Sequence, residues 1–74
     1  MKNNNWYMEV LERTITEQEF EVDELKAQYE YLESFESKSE AHMDMLVECM
    51  MELTEAIEAL ESARKYVESQ RHYA

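Results

Sequence analysis

Not one residue of the chain is glycine or proline. Average usage would supply about nine of them in a chain of this length. No proline means no built-in helix breaker. No glycine means that the positive-φ corners of tight hairpins have only a few asparagines to fill them, at positions 3 to 5. A sandwich or barrel needs many such corners, so the sequence predicts an all-α fold. The same absence removes the phosphate loop, the dinucleotide fingerprint and the EF-hand, which all need backbone where a Cβ would clash.

Two long helical patterns fill the chain. Met8, Leu11, Ile15, Gln18, Val22, Leu25, Tyr29 and Leu32 alternate by three and four, and so do Met43, Leu46, Met50, Leu53, Ile57, Leu60, Arg64 and Val67. That alternation, held over four heptads, marks a coiled-coil seam. The residues between are mostly Glu, Gln, Lys and Ala, which favour helix.

The break lies between Leu32 and Met43. Ser37, Lys38, Ser39 and Glu40 fit a capping box, in which a serine hydroxyl and a glutamate carboxylate satisfy orphan amides. The expected layout is a single domain over 1–74, with helix 1 over about 5–36, a turn over about 37–39 and helix 2 over about 40–72. One continuous helix is the alternative, because helix 1 has no glycine to make a left-handed cap. Folding the chain so that seam numbers sum to 75 supports the hairpin. Met8 then meets Val67, Leu11 meets Arg64, Gln18 meets Ile57, Leu25 meets Met50, and all eight seam positions find partners.

A two-helix hairpin is thin. A chain of 74 residues supplies little surplus stability, and with Cys49 its lone cysteine no internal disulfide is available. Self-association is the remaining staple. Cys49, Ala56 and Ala63 flank the second seam at seven-residue spacing, with His42 and Gln70 extending the line. Trp6, Val10, Phe20, Ala27 and Tyr31 lie away from the first seam, and Tyr66 and Tyr73 add to the open end. These surplus faces predict an antiparallel hairpin that dimerises into a four-helix bundle, with Trp6, Val10, Tyr31, Cys49, Ala56 and Ala63 at the interface.

Chemistry is sparse. Di-iron bundles need Glu-x-x-His, and Ser39 and Ser69 stand where His42 and His72 would need glutamate. His42, Met45 and Cys49 share a helical face and would suit Cu(I), but methionines filling an irregular core is the plainer reading, so no metal or cofactor is expected. Cys49 and His42 are about 10 Å apart along one helix, too far to act as nucleophile and base. No cleft is expected in a coiled coil either, so the chain reads as non-enzymatic. Gln18 and Arg64 are polar residues at seam positions, a pattern that sets register, with Arg64 in reach of Glu61 or, across the hairpin, Glu12.

Charge is the most informative feature. There are 18 Asp and Glu against 7 Lys and Arg, a formal net charge of -11. That opposes direct contact with nucleic acid or an anionic membrane. Residues 17–24 read EQEFEVDE, and Glu48, Glu52, Glu55 and Glu58 continue the acid face on the second helix. The plain reading is a solvating face. The sharper one is mimicry of nucleic acid, in which Glu17, Glu19, Glu21, Asp23 and Glu24, with Phe20 as apolar anchor, occupy the basic surface of a partner protein. In size, acidity and helical pattern the chain looks like small inhibitors that phages encode against host defence and nucleic-acid enzymes. It is also similar to hairpin assembly or export chaperones, which would work through Trp6, Tyr7, Phe20, Tyr31 and Tyr66. No motif decides between them, though the secreted hairpins with a Trp-x-Gly turn are excluded. No apolar run reaches the ~18 residues of a membrane span, Met1 to Thr14 lacks a secretory pattern, and a lone thiol fits a cytoplasmic setting.

Overall fold

A computed structural model describes the backbone of residues 2–72 and the side chains of residues 6–71. Two helices, α1 (Lys2–Glu33) and α2 (Glu40–His72), pack against each other as an antiparallel hairpin. The hairpin is a rod of 58 × 15 × 14 Å. No described helix is long and apolar enough to cross a membrane. Helix 1 ends at Glu33, short of the expected limit at 36, and begins at Lys2. Helix 2 occupies the expected range.

The turn does without a left-handed residue, and no described residue has positive φ. Side chains close the end of α1 instead. The Ser34 amide bonds the Glu30 carbonyl at 3.0 Å, and its hydroxyl donates to the Tyr31 carbonyl at 2.6 Å. The Lys38 ammonium donates to the Phe35 carbonyl at 2.7 Å. His42 Nε2 reaches back from α2 to the Leu32 carbonyl at 2.8 Å. A carbonyl can only accept, so Nε2 carries the proton. Phe35 sits between Tyr31 and His42, with ring centroids 5.3 and 4.6 Å away. The terminal carbonyls of Glu30, Tyr31 and Leu32, of the kind that usually call for glycine, are thus satisfied by a serine and a histidine, while the lysine holds a carbonyl of the turn.

The cap of α2 also differs from expectation. Ser39, not Ser37, is the N-cap: its hydroxyl accepts from the His42 amide at 3.1 Å, and its carbonyl accepts the first helical bond from Met43. The third helical position is therefore His42 rather than Glu40. Glu40 instead stands in the first turn, where a negative charge suits the helix dipole.

The α1 seam is the predicted one, with Val22 buried and Met8, Leu11, Ile15, Gln18, Leu25, Tyr29 and Leu32 half-buried. The α2 seam is turned by one position at alternate steps. Leu46, Cys49, Leu60 and Val67 are buried, and His42, Leu53, Ala56, Ala63 and Gln70 are half-buried. Met43, Met50, Ile57 and Arg64 are exposed. Cys49 Sγ donates to the Leu25 carbonyl at 3.6 Å, which fixes the register. Leu25 therefore meets Cys49, Gln18 meets Ala56, Leu11 meets Ala63, and Leu32 meets His42. Cys49, Ala56 and Ala63, expected on an outer face for a second copy, are spent inside the hairpin.

Two physical reasons favour this rotation. The expected seam would set the Arg64 guanidinium against Leu11, and an unpaired charge in an apolar seam costs several kcal/mol. The small line also gives room for Leu11, Gln18 and Leu25 of α1, which the register sets opposite it. The core is still slight. Among the described residues none is completely buried. Gln18 Oε1 is sealed from solvent without a hydrogen-bond partner.

Candidate functional site

Turning α2 also sorts the charges. Two long edges run along the rod, one on each side of the seam. Glu12, Glu19, Asp23 and Lys26 of α1 lie beside Ile57, Glu61, Arg64, Glu68 and Arg71 of α2 on the first edge. Both described ion pairs are here. Arg64 bonds Glu19 at 2.6 Å, and Arg71 bonds Glu12. The expected partner of Arg64, Glu12, is thus taken by Arg71, one heptad further toward the open end. Both pairs are about half exposed, so each contributes little to stability.

Among the described residues, none that lines the groove of the second edge is basic. Glu21 and Glu24 of α1 face Glu52 and Glu55 of α2 across a shallow trough floored by Leu25 and Ala56. Glu17 is seven residues before Glu24, and Glu48 seven before Glu55, so the helical repeat sets both on the same edge. None of these six glutamates is in an ion pair among the described residues. In the hairpin register they occupy about 14 Å of axis, by the helix rise of 1.5 Å. That is one charge per about 2.3 Å, against one per ~1.7 Å on duplex DNA.

The acidic run from Glu17 to Glu24 is therefore divided. Glu17, Glu21 and Glu24 belong to the bare edge, and Glu19 and Asp23 to the ion-paired one. Phe20 lies on the outer face of α1, 67% exposed, with Glu17 and Glu24 one turn to either side. Glu52 and Glu55 join the site from α2. Their acidic spacing is visible in the sequence, but only the register of the two helices reveals that they meet the acids of α1.

The apolar residues are distributed differently again. Trp6 and Tyr31 are exposed on α1, and Val10 is half-buried. Tyr7 and Tyr66 join hydroxyls at 2.9 Å near the open end. The Tyr7 hydrogen bond, with partial desolvation, raises Tyr66 above the ordinary tyrosine value of 10.0. The His72 side chain and Tyr73 lie outside the described residues. His42 bonds the Leu32 carbonyl and Cys49 the Leu25 carbonyl, so two of the three residues of the copper reading, which also includes Met45, are engaged with backbone of α1. No group of three or more His, Cys, Asp or Glu among the described residues is arranged to hold a metal ion. Comparison with family models, with curated proteins and with solved structures finds no match to this chain.

Proposed function

We propose that the chain is a non-enzymatic binding module, an acidic helical inhibitor that occupies the basic, nucleic-acid-binding surface of a partner protein. The observation that carries this reading is the bare edge. Six glutamates from two helices converge there, at a density within a factor of about 1.5 of duplex DNA. A solvating surface has no need to sort charge, because interspersed signs keep a protein soluble equally well. Here three bases are gathered on one edge and none along the groove of the other. A basic channel meeting that groove would be steered toward it by a field like that of its nucleic acid. Phe20, beside Glu17 and Glu24, supplies an apolar anchor at the margin.

The hairpin self-associates in this reading, forming a four-helix bundle of two copies, and works in a cytoplasmic, reducing setting where Cys49 stays a thiol. The alternative, a chaperone hairpin acting through its apolar faces, draws on Trp6, Phe20 and Tyr31, which are exposed and share the outer face of α1.

The test is a pull-down with the full chain at about 0.1 and 0.5 M salt, with duplex DNA as competitor. The expected result is capture of a nucleic-acid-binding protein that both salt and DNA release, since screening shortens over that range. A variant with Glu21, Glu24, Glu52 and Glu55 changed to Gln is expected to lose capture while keeping its helicity. Capture that survives the four substitutions and ignores DNA overturns the reading.

A further inference from the structure

We infer that α2 carries a second, unoccupied heptad seam, Met43, Val47, Met50, Thr54 and Ile57, and that it takes the α2 of a second copy of this chain, packed antiparallel. The inference rests on the self-association part of the reading above and does not require that the acidic edge bind a partner.

The spacing comes first. These five residues alternate by four and three, as the hairpin seam does. They lie a quarter to a third of a turn round α2 from that seam. All five are exposed, and Met50 at their centre is 48% exposed. With Cys49, Ala56 and Ala63 turned inward, this is the apolar stripe that α2 has left to offer. Methionine suits such a contact, since its flexible thioether fills irregular gaps.

The stripe is complementary to itself. Set antiparallel about Met50, it pairs Met43 with the second copy's Ile57, Val47 with its Thr54, and Met50 with its Met50. The paired numbers sum alternately to 100 and 101, just as the hairpin's own layers alternate between 74 and 75. A two-fold contact of this kind closes on itself and forms no open filament. Continuing the register sets Glu61 opposite the second copy's Glu40, a repulsion at the rim that salt would screen.

Charge selects the same side. The stripe borders the edge that holds Lys26 and the ion-paired Arg64 and Arg71, while the bare edge faces away. Two copies meeting here avoid opposing their unpaired glutamates. The area is available as well. The chain exposes 6198 Å², whereas a compact monomer of 8.9 kDa exposes about 4,800 Å² by the scaling of surface with mass. The excess of about 1,400 Å², spread over the whole rod, leaves room for the ~800 Å² per partner of an ordinary stable interface.

Sedimentation of the full chain tests this. The expected wild-type mass is twice 8.9 kDa, with a dimer that tightens as salt rises, because screening relieves repulsion between two chains of charge -11. Met50→Glu sets two carboxylates face to face on the axis and is expected to weaken the dimer by about 100-fold or more, with monomer helicity unchanged. Met50→Cys in a Cys49→Ser background supplies a second readout. Residue 50 meets its own copy, so oxygen in air is expected to link the two thiols, while Phe20→Cys in the same background stays unlinked. A monomeric wild type overturns both this seam and the self-association reading. A dimer that survives Met50→Glu and leaves the thiols introduced at position 50 unlinked overturns the seam alone.

Discussion

Gln18 is the clearest weakness of the hairpin in energetic terms, and replacing it by leucine should stabilise the protein. Its side chain is half-buried in the α1 seam between Ile15 and Val22, and the register sets it opposite Ala56. Its Oε1 is closed to solvent and accepts no hydrogen bond. A buried acceptor left without a partner costs about 1–3 kcal/mol. Leucine removes that cost at similar volume and adds some apolar burial, offset by the loss of the exposed part of the amide. A net gain of about 1–2 kcal/mol is expected. For a chain of 74 residues the unfolding entropy makes 1 kcal/mol worth about 6 °C. Tm should therefore rise by about 6–13 °C in Gln18→Leu. The assay is thermal unfolding followed by circular dichroism in the helical band, with wild type and variant at one concentration, because dimerisation makes Tm concentration-dependent. Sedimentation beside it checks that the mass is unchanged, since a polar seam residue can also set oligomeric state. An unchanged or lower Tm at constant mass refutes the reasoning, because it means that Oε1 has a partner in solution whose bond the leucine breaks.

Three further outcomes follow from the geometry. Leu60→Ala, at a residue only 6% exposed, should cost about 2–5 kcal/mol and leave the chain largely unfolded at body temperature, as read by loss of helicity; small scaffolds have little more than that in total. Arg64→Ala should change stability by about 1 kcal/mol or less, and the effect should fade in about 1 M salt, because its bond to Glu19 is half exposed. Tyr7→Phe should lower Tyr66 toward the ordinary tyrosine value of 10.0 in an ultraviolet absorbance titration of the phenolate, because the hydrogen bond is the largest cause of the rise. The folded state holds Tyr66 above its unfolded value, so the stabilisation it gives is complete below pH 10.0 and disappears as pH rises through the raised value; melts of wild type and Tyr7→Phe should converge there.

The first helix was legible in the sequence because its seam residues are large and apolar and nothing competes with them. The second helix offered two seams, each seven residues in period and one position apart. Apolarity favours Met43, Met50 and Ile57, and a pattern weighted by apolarity takes that line. Packing favours Cys49, Ala56 and Ala63, because the facing surface of α1 is already bulky and because Arg64 must reach water and Glu19. Arg64 is the signal against the first line, since a single charge in a seam is worth more than several methyl groups. The turn was legible in place but not in detail. No rule of spacing anticipates that His42 serves both helix ends, donating its amide to the Ser39 hydroxyl and its ring N–H to the Leu32 carbonyl. Division of the acidic run was hidden for a related reason. Which glutamates share an edge depends on the rotation of α1 relative to α2, and only the seam determines it.

That rotation ties the two proposed surfaces together. Had α2 packed through Met50 and Ile57, its apolar side chains would have been consumed in the hairpin and the small line left outside. Turned as it is, α2 keeps a methionine-rich stripe beside the ion pairs and presents Glu52 and Glu55 to Glu21 and Glu24 on the opposite edge. A dimer built on the stripe therefore carries two bare acidic edges pointing away from its axis. The two surfaces must respond to salt in opposite senses, self-association strengthening and partner binding weakening as the ionic strength rises. Between about 0.1 and 0.5 M salt the protein should pass from a species that holds its partner to one that holds only itself. Loss of both together on raising salt would mean that one surface serves both contacts, and the separation of edges argued from the register would then be false.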